Sequence, residues 1–413
     1  MRIGIYALDC RPENGGVYVY LVNLLNGLGR SGGPHEFYVF SKDRSLQDSL
    51  ESGLPGKIRV IHFSRFRVAL ARLFLRVFTQ PVLFLKLAKN ALIKRIFRAS
   101  PILDVESGLK TPFLNLSKYH LDVLHFPATL IEPAFFDLRL PFVLTVHDIQ
   151  QEYYPDLFSR EELVFRRNRY RASCERANLI LSVSEFTRKC LNEKYEVPLQ
   201  KVKVTLQGCS PRFMESPDPN ALAAARKRYG LPAEFLFYPA STWPHKNHGG
   251  LLDALHRLGK NQHLTPTLVL TGFTREAGSG VERTLRELNL DERVHLLGHI
   301  PPEEMPLLYH MATALVFPSL YEGFGIPLVE AMSAGLPIVC ANRAAIPEIV
   351  GPAGLYFDPE DSDDMALKIA VLLRDQALRK RLVDAGYAQA RRFGWSEVTK
   401  ETLDAYETVQ TTR

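Results

Sequence analysis

The sequence predicts an α/β fold of two doubly wound, Rossmann-like domains facing a central cleft. Three observations predict it. The chain has 413 residues, more than one ordinary core holds. Short apolar runs alternate with longer amphipathic ones, the pattern of a parallel sheet covered by helices. That alternation restarts after a turn-rich stretch near the middle of the chain, so the second half repeats the architecture of the first.

Taken in order, "RIGIYAL" reads as a strand, "GGVYVYLVNLLNGLGRSG" as a helix and "EFYVFS" as a second strand. The opening "MRIGIYALDC" is too short for the apolar region of a signal peptide, and no small-residue cleavage site follows it, so it is read as the first strand of the fold. "LDVLHF", "PFVLTVHD", a helix around Glu161 to Arg176 and "LILSVS" continue the alternation. "LQGCSPRFMESPDPN", Leu206 to Asn220, carries three prolines and no periodicity and is read as a linker. Beyond it come "FLFYPAS", "TLVLTG", "VHLLG", "ALVFPS" and "IVCAN". The expected division is a first domain at 1–206, a linker at 207–220, a second domain at 221–392, and a C-terminal helix at 393–413 with the option of packing back on the first domain. In such folds ligands bind at the carboxyl ends of the strands.

Composition narrows the function. At 46% hydrophobic and 23% charged, with no apolar run long enough to span a bilayer, the chain reads as a globular cytoplasmic protein. Five cysteines, Cys10, Cys174, Cys190, Cys209 and Cys340, lack paired spacing, which argues against a disulfide framework or a zinc site. The formal charge is +6, but nine cations and no carboxylate fall between Arg65 and Arg98, which leaves the rest of the chain net negative. Localised basicity of this kind, without a nucleic-acid-reading module, speaks against nucleic acid as a partner. Within the segment 64–100, Arg65, Arg72 and Arg76 share one helical face, with Phe66, Leu70, Leu73, Phe74 and Val77 on another. Two readings stand: a helix lying on an anionic membrane surface, which would place the protein peripherally on the inner face of the cytoplasmic membrane, or a solvated cover for the first sheet.

The passage richest in chemistry is "ALVFPSLYEGFGIPLVEAMSAGLPIVCAN". A strand, Ala314 to Ser319, leads into a glycine-containing loop, Pro327 suits the first turn of a helix, and Gly335 suits its end. Gly323 and Gly325 let the backbone approach a ligand closely, and the helix start offers unpaired N–H groups to a phosphate or carboxylate. Glu322 lies in the loop and Glu330 one turn inside the helix, so both can reach one polyhydroxyl ligand. The structural alternative is that Glu330 complements the helix dipole and Glu322 is a solvated loop residue.

"EGFGIPLVEAMSAGLP", Glu322 through Pro337, resembles the signature of family 4 retaining glycosyltransferases, two-domain enzymes of the GT-B fold. The resemblance extends across nearly the whole chain. "NGGVYVYLVNLL" is similar to the family's first loop and helix, "TVHDIQQEYYP" to its acceptor-side His-Asp segment, "SEFT" (Ser184 to Thr187) to its next strand-to-helix turn, "WPHKN" to its donor-phosphate lysine segment, and "GLYFDPED" to its exit from the core. The resemblance implies that Glu330 holds the ribose hydroxyls of a nucleotide-sugar and Glu322 the hydroxyls of the transferred sugar, aided by backbone N–H groups of Gly323, Phe324 and Gly325. Lys246 would neutralise the leaving diphosphate, Gly16 would let the N-terminal loop close over it, and His147 would sit against the sugar ring.

The implied enzyme is a metal-independent, cofactor-free hexosyltransferase, with a nucleotide-sugar as co-substrate and a glycan or lipid-linked acceptor. "HDIQQEYYP" together with "WPHKNH" resembles bacterial mannosyltransferases of surface-polysaccharide synthesis, and so favours GDP-mannose. One position departs from the family. Many members carry an arginine six residues before the lysine, where this chain has Ala240; His245 or an arginine from elsewhere is then the candidate second cation. For His147, a structural role at a strand end is the competing reading. The rival functions are a glycoside hydrolase using Glu322 and Glu330 as its two carboxyl groups, which leaves Lys246 unemployed, and a non-catalytic sugar-nucleotide binder in a membrane complex.

Overall fold

The structure, a computed structural model, describes residues 1–8, 10, 15–31, 33–43, 45–50, 57–62, 116–272 and 278–411. The basic segment 64–100 lies outside the described residues. Seven strands form the first sheet: β1 (Arg2–Tyr6), β2 (Glu36–Ser41), β3 (Ile58–His62), β4 (Val123–Phe126), β5 (Phe142–Val146), β6 (Leu179–Ser182) and β7 (Val202–Val204), in the order β3-β2-β1-β4-β5-β6-β7. Six form the second: β8 (Leu236–Pro239), β9 (Leu268–Thr271), β10 (Val294–Leu296), β11 (Ala314–Phe317), β12 (Ile338–Ala341) and β13 (Gly354–Phe357), in the order β10-β9-β8-β11-β12-β13. Every hydrogen-bonded pair of neighbours runs parallel. The two sheets are the doubly wound domains expected from the sequence. In each, strand order reverses once, between β1 and β4 and between β8 and β11, which opens a crevice at the carboxyl ends.

Helices cover both sheets: α1 (Gly16–Arg30), α2 (Arg160–Arg176), α3 (Glu185–Tyr195), α4 (Pro219–Tyr229), α5 (His248–Gln262), α6 (Gly278–Glu287), α7 (Met305–Met311), α8 (Ile326–Ser333), α9 (Ile346–Val350), α10 (Ser362–Arg374), α11 (Gln376–Ala390) and α12 (Trp395–Thr411). Local chemistry sets their starts. Ser159 caps α2 by accepting from the Glu162 N–H, Asn247 caps α5 through Gly250, and Asp361 caps α10 through Asp363 and Asp364. Asp218 caps α4 with Pro219 as its first residue, so this helix begins inside the stretch read as linker from its prolines. β4, β5, β11 and β12 are buried along their whole length, because a parallel sheet between helix layers hides both faces.

The last helix returns to the first domain. Where the chain leaves that domain the Cys209 N–H donates to the carbonyl of Phe393, where it comes back, at 3.0 Å, so the outgoing and returning strands lie side by side. α12 then packs on α1 and sends Tyr406 into the first core, where its hydroxyl is 2.7 Å from His125 Nδ1. His125 Nε2 is 2.8 Å from Thr145 Oγ1, which lies 3.3 Å from the Tyr20 hydroxyl. Burial pushes His125 down to about 3, so the imidazole is neutral and its two nitrogens use one donor and one acceptor.

Removing the Tyr406 hydroxyl (Tyr406→Phe) strands a buried ring nitrogen and is expected to cost about 1–3 kcal/mol, read from denaturant unfolding at neutral pH. Because the unfolded imidazole takes up its proton well before the folded one, His125's contribution is present above its unfolded value near pH 6.5 and is lost as pH falls toward 3. Tyr406→Phe with an unchanged unfolding midpoint would remove this network from the account of stability.

Candidate functional site

β8 and β11 are neighbours at the reversal of the second sheet, and the loops leaving them build the site. After β8 the chain passes Ala240 and makes a short turn, Pro244–Lys246. After β11 it runs through residues 318–325 into α8. The two loops are tied by the Leu320 N–H donating to the His245 carbonyl (2.8 Å) and by the Tyr238 hydroxyl donating to the Lys246 carbonyl (2.8 Å), 3.1 Å from Ser319 Oγ. This brings Lys246 Nζ to 2.6 Å from Glu322 Oε1, with both side chains largely shielded from water. The pair comes from residues 76 positions apart, so it is made by sheet topology alone.

α8 starts at Ile326 after Gly325, whose φ of +99° excludes other residues without strain, and Pro327 is its second residue. One turn on, Glu330 accepts a hydrogen bond from the Tyr309 hydroxyl of α7 at 2.6 Å. Burial pushes the Glu330 carboxyl up to about 7, and burial with the adjacent carboxylate pushes Tyr309 well above its ordinary value. Glu322 and Glu330 therefore sit in different settings: one is ion-paired, the other lies in a poorly solvated position with a single hydroxyl donor.

The first domain supplies the opposite wall. His147, just beyond β5, donates from Nε2 to the Pro127 carbonyl (2.8 Å), has its Nδ1 3.4 Å from the Gln207 amide nitrogen, and meets the Tyr20 ring edge-on at 4.9 Å. Burial lowers its pKa, so it is neutral with Nε2 protonated. Gly16, the first residue of α1, faces Ile326 at the start of α8: a Cβ there would lie 3.6 Å from Ile326 Cδ1.

The domains meet at Gly323. A Cβ on it would lie 1.8 Å from the His147 carbonyl oxygen, so only glycine fits. Its own carbonyl accepts from Ser184 Oγ (2.6 Å) and Thr187 Oγ1 (3.3 Å). On either side, the Tyr154 hydroxyl donates to the Leu320 carbonyl (3.1 Å), and Tyr321 packs among Tyr153, Tyr154 and Phe186. Phe324 is buried against Phe393.

Lys246, Glu322, Gly323 and Gly325 thus converge with His147 and Gly16 on one cleft, and Glu330 lies one helical turn behind them. His245 lines the same loop, but burial, reinforced by Lys246, pushes it down to about 4, so without a bound anion it is no replacement for the cation absent at Ala240. Among the described residues no cluster of His, Cys, Asp or Glu is arranged to hold a metal ion. Tyr309, Ser184, Thr187 and Tyr321 were not singled out as site residues by the sequence, since nothing local marks a tyrosine or serine as the partner of a residue far along the chain.

Gly323→Ala drives a methyl group into the His147 carbonyl and forces the two main chains apart. The expected cost is about 1–3 kcal/mol, the range for overpacking, read as a lower unfolding midpoint of the full chain. An unchanged midpoint would show that the loop has room to yield.

Comparison with known proteins places the chain in a family. The family models described as Glycosyltransferase Family 4 and Glycosyl transferases group 1 match residues 14–212 and 224–389. The chain is 32% identical over 265 residues to the O-antigen chain mannosyltransferase B of Escherichia coli, a match covering 64% of this chain and 70% of that protein. It is 29% identical over 222 residues to the O-antigen chain mannosyltransferase RfbU of Salmonella typhimurium, covering 53% and 57%. Among solved structures, Anabaena HepE in complex with UDP-glucose superposes with a TM-score of 0.71 at 20% identity, covering 99% of this chain and 100% of that one. The sucrose-phosphate synthase of Thermosynechococcus elongatus gives 0.72 at 18%, each chain covered in full. At such identities the structures bear on the fold alone, which is GT-B. With both halves matched by the family models and one relative above 30% identity aligned over most of its length, the chain belongs to the family 4 (group 1) glycosyltransferases.

Proposed function

We propose that the protein is a retaining, metal-independent glycosyltransferase that moves a hexose from a nucleoside-diphosphate donor to a glycan or lipid-linked acceptor. The observation that carries this reading is the Lys246–Glu322 pair, 2.6 Å apart at the strand reversal of the second sheet, with the start of α8 beside it and His147 and Gly16 opposite. The two charges satisfy each other. An arriving diphosphate competes for Lys246 and frees Glu322 to accept hydrogen bonds from the sugar's hydroxyls. N–H groups of Gly323, Phe324 and Gly325 and the α8 start add positive potential where negative charge grows on the leaving group.

As the bond between the anomeric carbon and the diphosphate oxygen breaks, the acceptor oxygen bonds to that carbon from the same face. The acceptor's proton passes to the departing phosphate oxygen. His147, neutral and fixed by Pro127, offers an uncharged polar surface to the ring, and His245 offers a ring N–H beside the phosphate. Glu330 is assigned to the ribose diol, two O–H donors that need an acceptor. Mannose, carried by GDP, is the donor favoured by the "HDIQQEYYP" and "WPHKNH" segments, and the names of the two O-antigen relatives support it. A thermal-shift panel of GDP, UDP and ADP with their sugars tests the donor, since a ligand of the native state raises its melting temperature.

Lys246→Ala is expected to lower turnover by about 10²-fold or more, the scale for losing one preorganised charge-stabilising group. Turnover within a few-fold of wild type would transfer the role elsewhere.

Glu330 gives a pH signature. Its folded value, raised to about 7, means that the ligand-free protein holds a proton there through the mildly acidic range, while a diol favours the ionised, acceptor-only form. Nucleotide affinity is therefore expected to rise as pH rises through about 7, with proton release on binding in calorimetry. Glu330→Gln should bind more weakly and lose that part of the pH dependence, which the comparison separates from titration of the phosphates. Identical pH profiles for the two proteins would sink the ribose assignment.

A further inference from the structure

The turn Ser184–Thr187 begins α3 in the first domain, and none of the roles above uses its backbone amides. Two of them are occupied from the other domain. Glu348, on the short helix α9, accepts the Glu185 N–H on Oε1 and the Phe186 N–H on Oε2, both at 2.8 Å. The third first-turn amide, Thr187, goes to the local cap Ser184 Oγ (3.0 Å), which in turn donates to the Gly323 carbonyl. Of these three first-turn amides of α3, one is thus capped by its own domain and two by a carboxylate of its neighbour. Such bonds are charge-assisted and complement the helix dipole.

α9 is also tied to the site. The Ala345 N–H, just before it, donates to the Glu322 carbonyl (3.3 Å), and Ala344 adopts a left-handed φ of +52° to make the approach. A chain of contacts therefore runs from the α3 amides through Glu348 and α9 to the backbone of Glu322, and returns through Gly323 to Ser184. The loop closes across the domain boundary.

We propose that Glu348 is a positioning residue, a clamp that takes the α3 helix start across the cleft and sets the spacing at which His147 and Glu322 address one substrate. The proposal rests on the glycosyltransferase reading for its catalytic consequence, but the clamp itself is observable without substrate. Because the nucleotide is assigned to the second domain, loosening the clamp separates turnover from nucleotide binding. A displacement on the order of 1 Å between groups that share a substrate costs about 10²-fold in rate.

The test uses the full chain and four variants. Glu348→Ala removes both acceptors and Glu348→Gln one. Glu185→Pro removes one donor from the opposite side of the cleft: Ser184 is extended (φ −159°, ψ 161°), as the residue before proline prefers, and proline is favoured at a first helical position. Glu185→Ala keeps the amide. The expected results are a loss of turnover of about 10²-fold for Glu348→Ala, smaller losses of the same kind for Glu348→Gln and Glu185→Pro, and near wild-type turnover for Glu185→Ala, all with GDP or UDP affinity within about twofold. The double variant Glu348→Ala/Glu185→Pro should be no worse than Glu348→Ala alone.

Without ligand, Glu348→Ala should show a larger radius of gyration by small-angle scattering and faster amide exchange over residues 184–188. Scattering and exchange identical to wild type overturn the clamp, as do fully additive losses in the double variant or an affinity loss that matches the turnover loss. If wild-type protein binds no nucleoside diphosphate, the glycosyltransferase reading fails instead, and scattering and exchange still decide the clamp.

Discussion

The structure depends on the missing side chain at position 323. Each sheet presents a crevice at its carboxyl ends, but a site shared between two sheets requires their loops to meet at backbone distance. Gly323 makes that possible, because any Cβ there would fall on the His147 carbonyl oxygen. The hydroxyls of Ser184 and Thr187 then hold the Gly323 carbonyl, and the rings of Tyr153, Tyr154 and Phe186 receive Tyr321. Close approach, hydrogen bonds to an otherwise unsatisfied carbonyl and aromatic packing support one another at adjacent residues. The loop that carries Glu322 is consequently part of the domain interface, and the geometry of the site and that of the interface are one problem.

Electrostatics follow from that burial. Histidines at 125, 147 and 245 are held neutral by removal from water, and the same effect raises the Glu330 carboxyl to about 7. Lys246 and Glu322 remain as a matched pair. On the proposed reading, this site acquires its catalytic polarity when a diphosphate takes the lysine away from its partner.

Much of the fold was legible because its signals are local. Buried parallel strands such as "FVLTV" and "ALVF" read as apolar runs. Boundaries were less legible: proline at 219 signalled a loop but opens a helix. Within the site, the spacing of Glu322, Gly323, Gly325 and Glu330 marked the loop and α8. The partners did not show, because Tyr309 reaches Glu330 across 21 residues, Ser184 reaches Gly323 across 139, and Glu348 reaches Glu185 across 163. Such pairings are decided by strand order and crossover, which no local pattern encodes. The neutrality of His245 was equally hidden, since it comes first from burial, with adjacent Lys246 only reinforcing it.

The side-by-side passage of the chain at Cys209 and Phe393 has a topological consequence. The second domain is an insert whose two ends meet the first domain at one place. The ties at Gly323 and Glu348 are therefore non-covalent and join residues far apart in the sequence, so they depend on both domains having folded first.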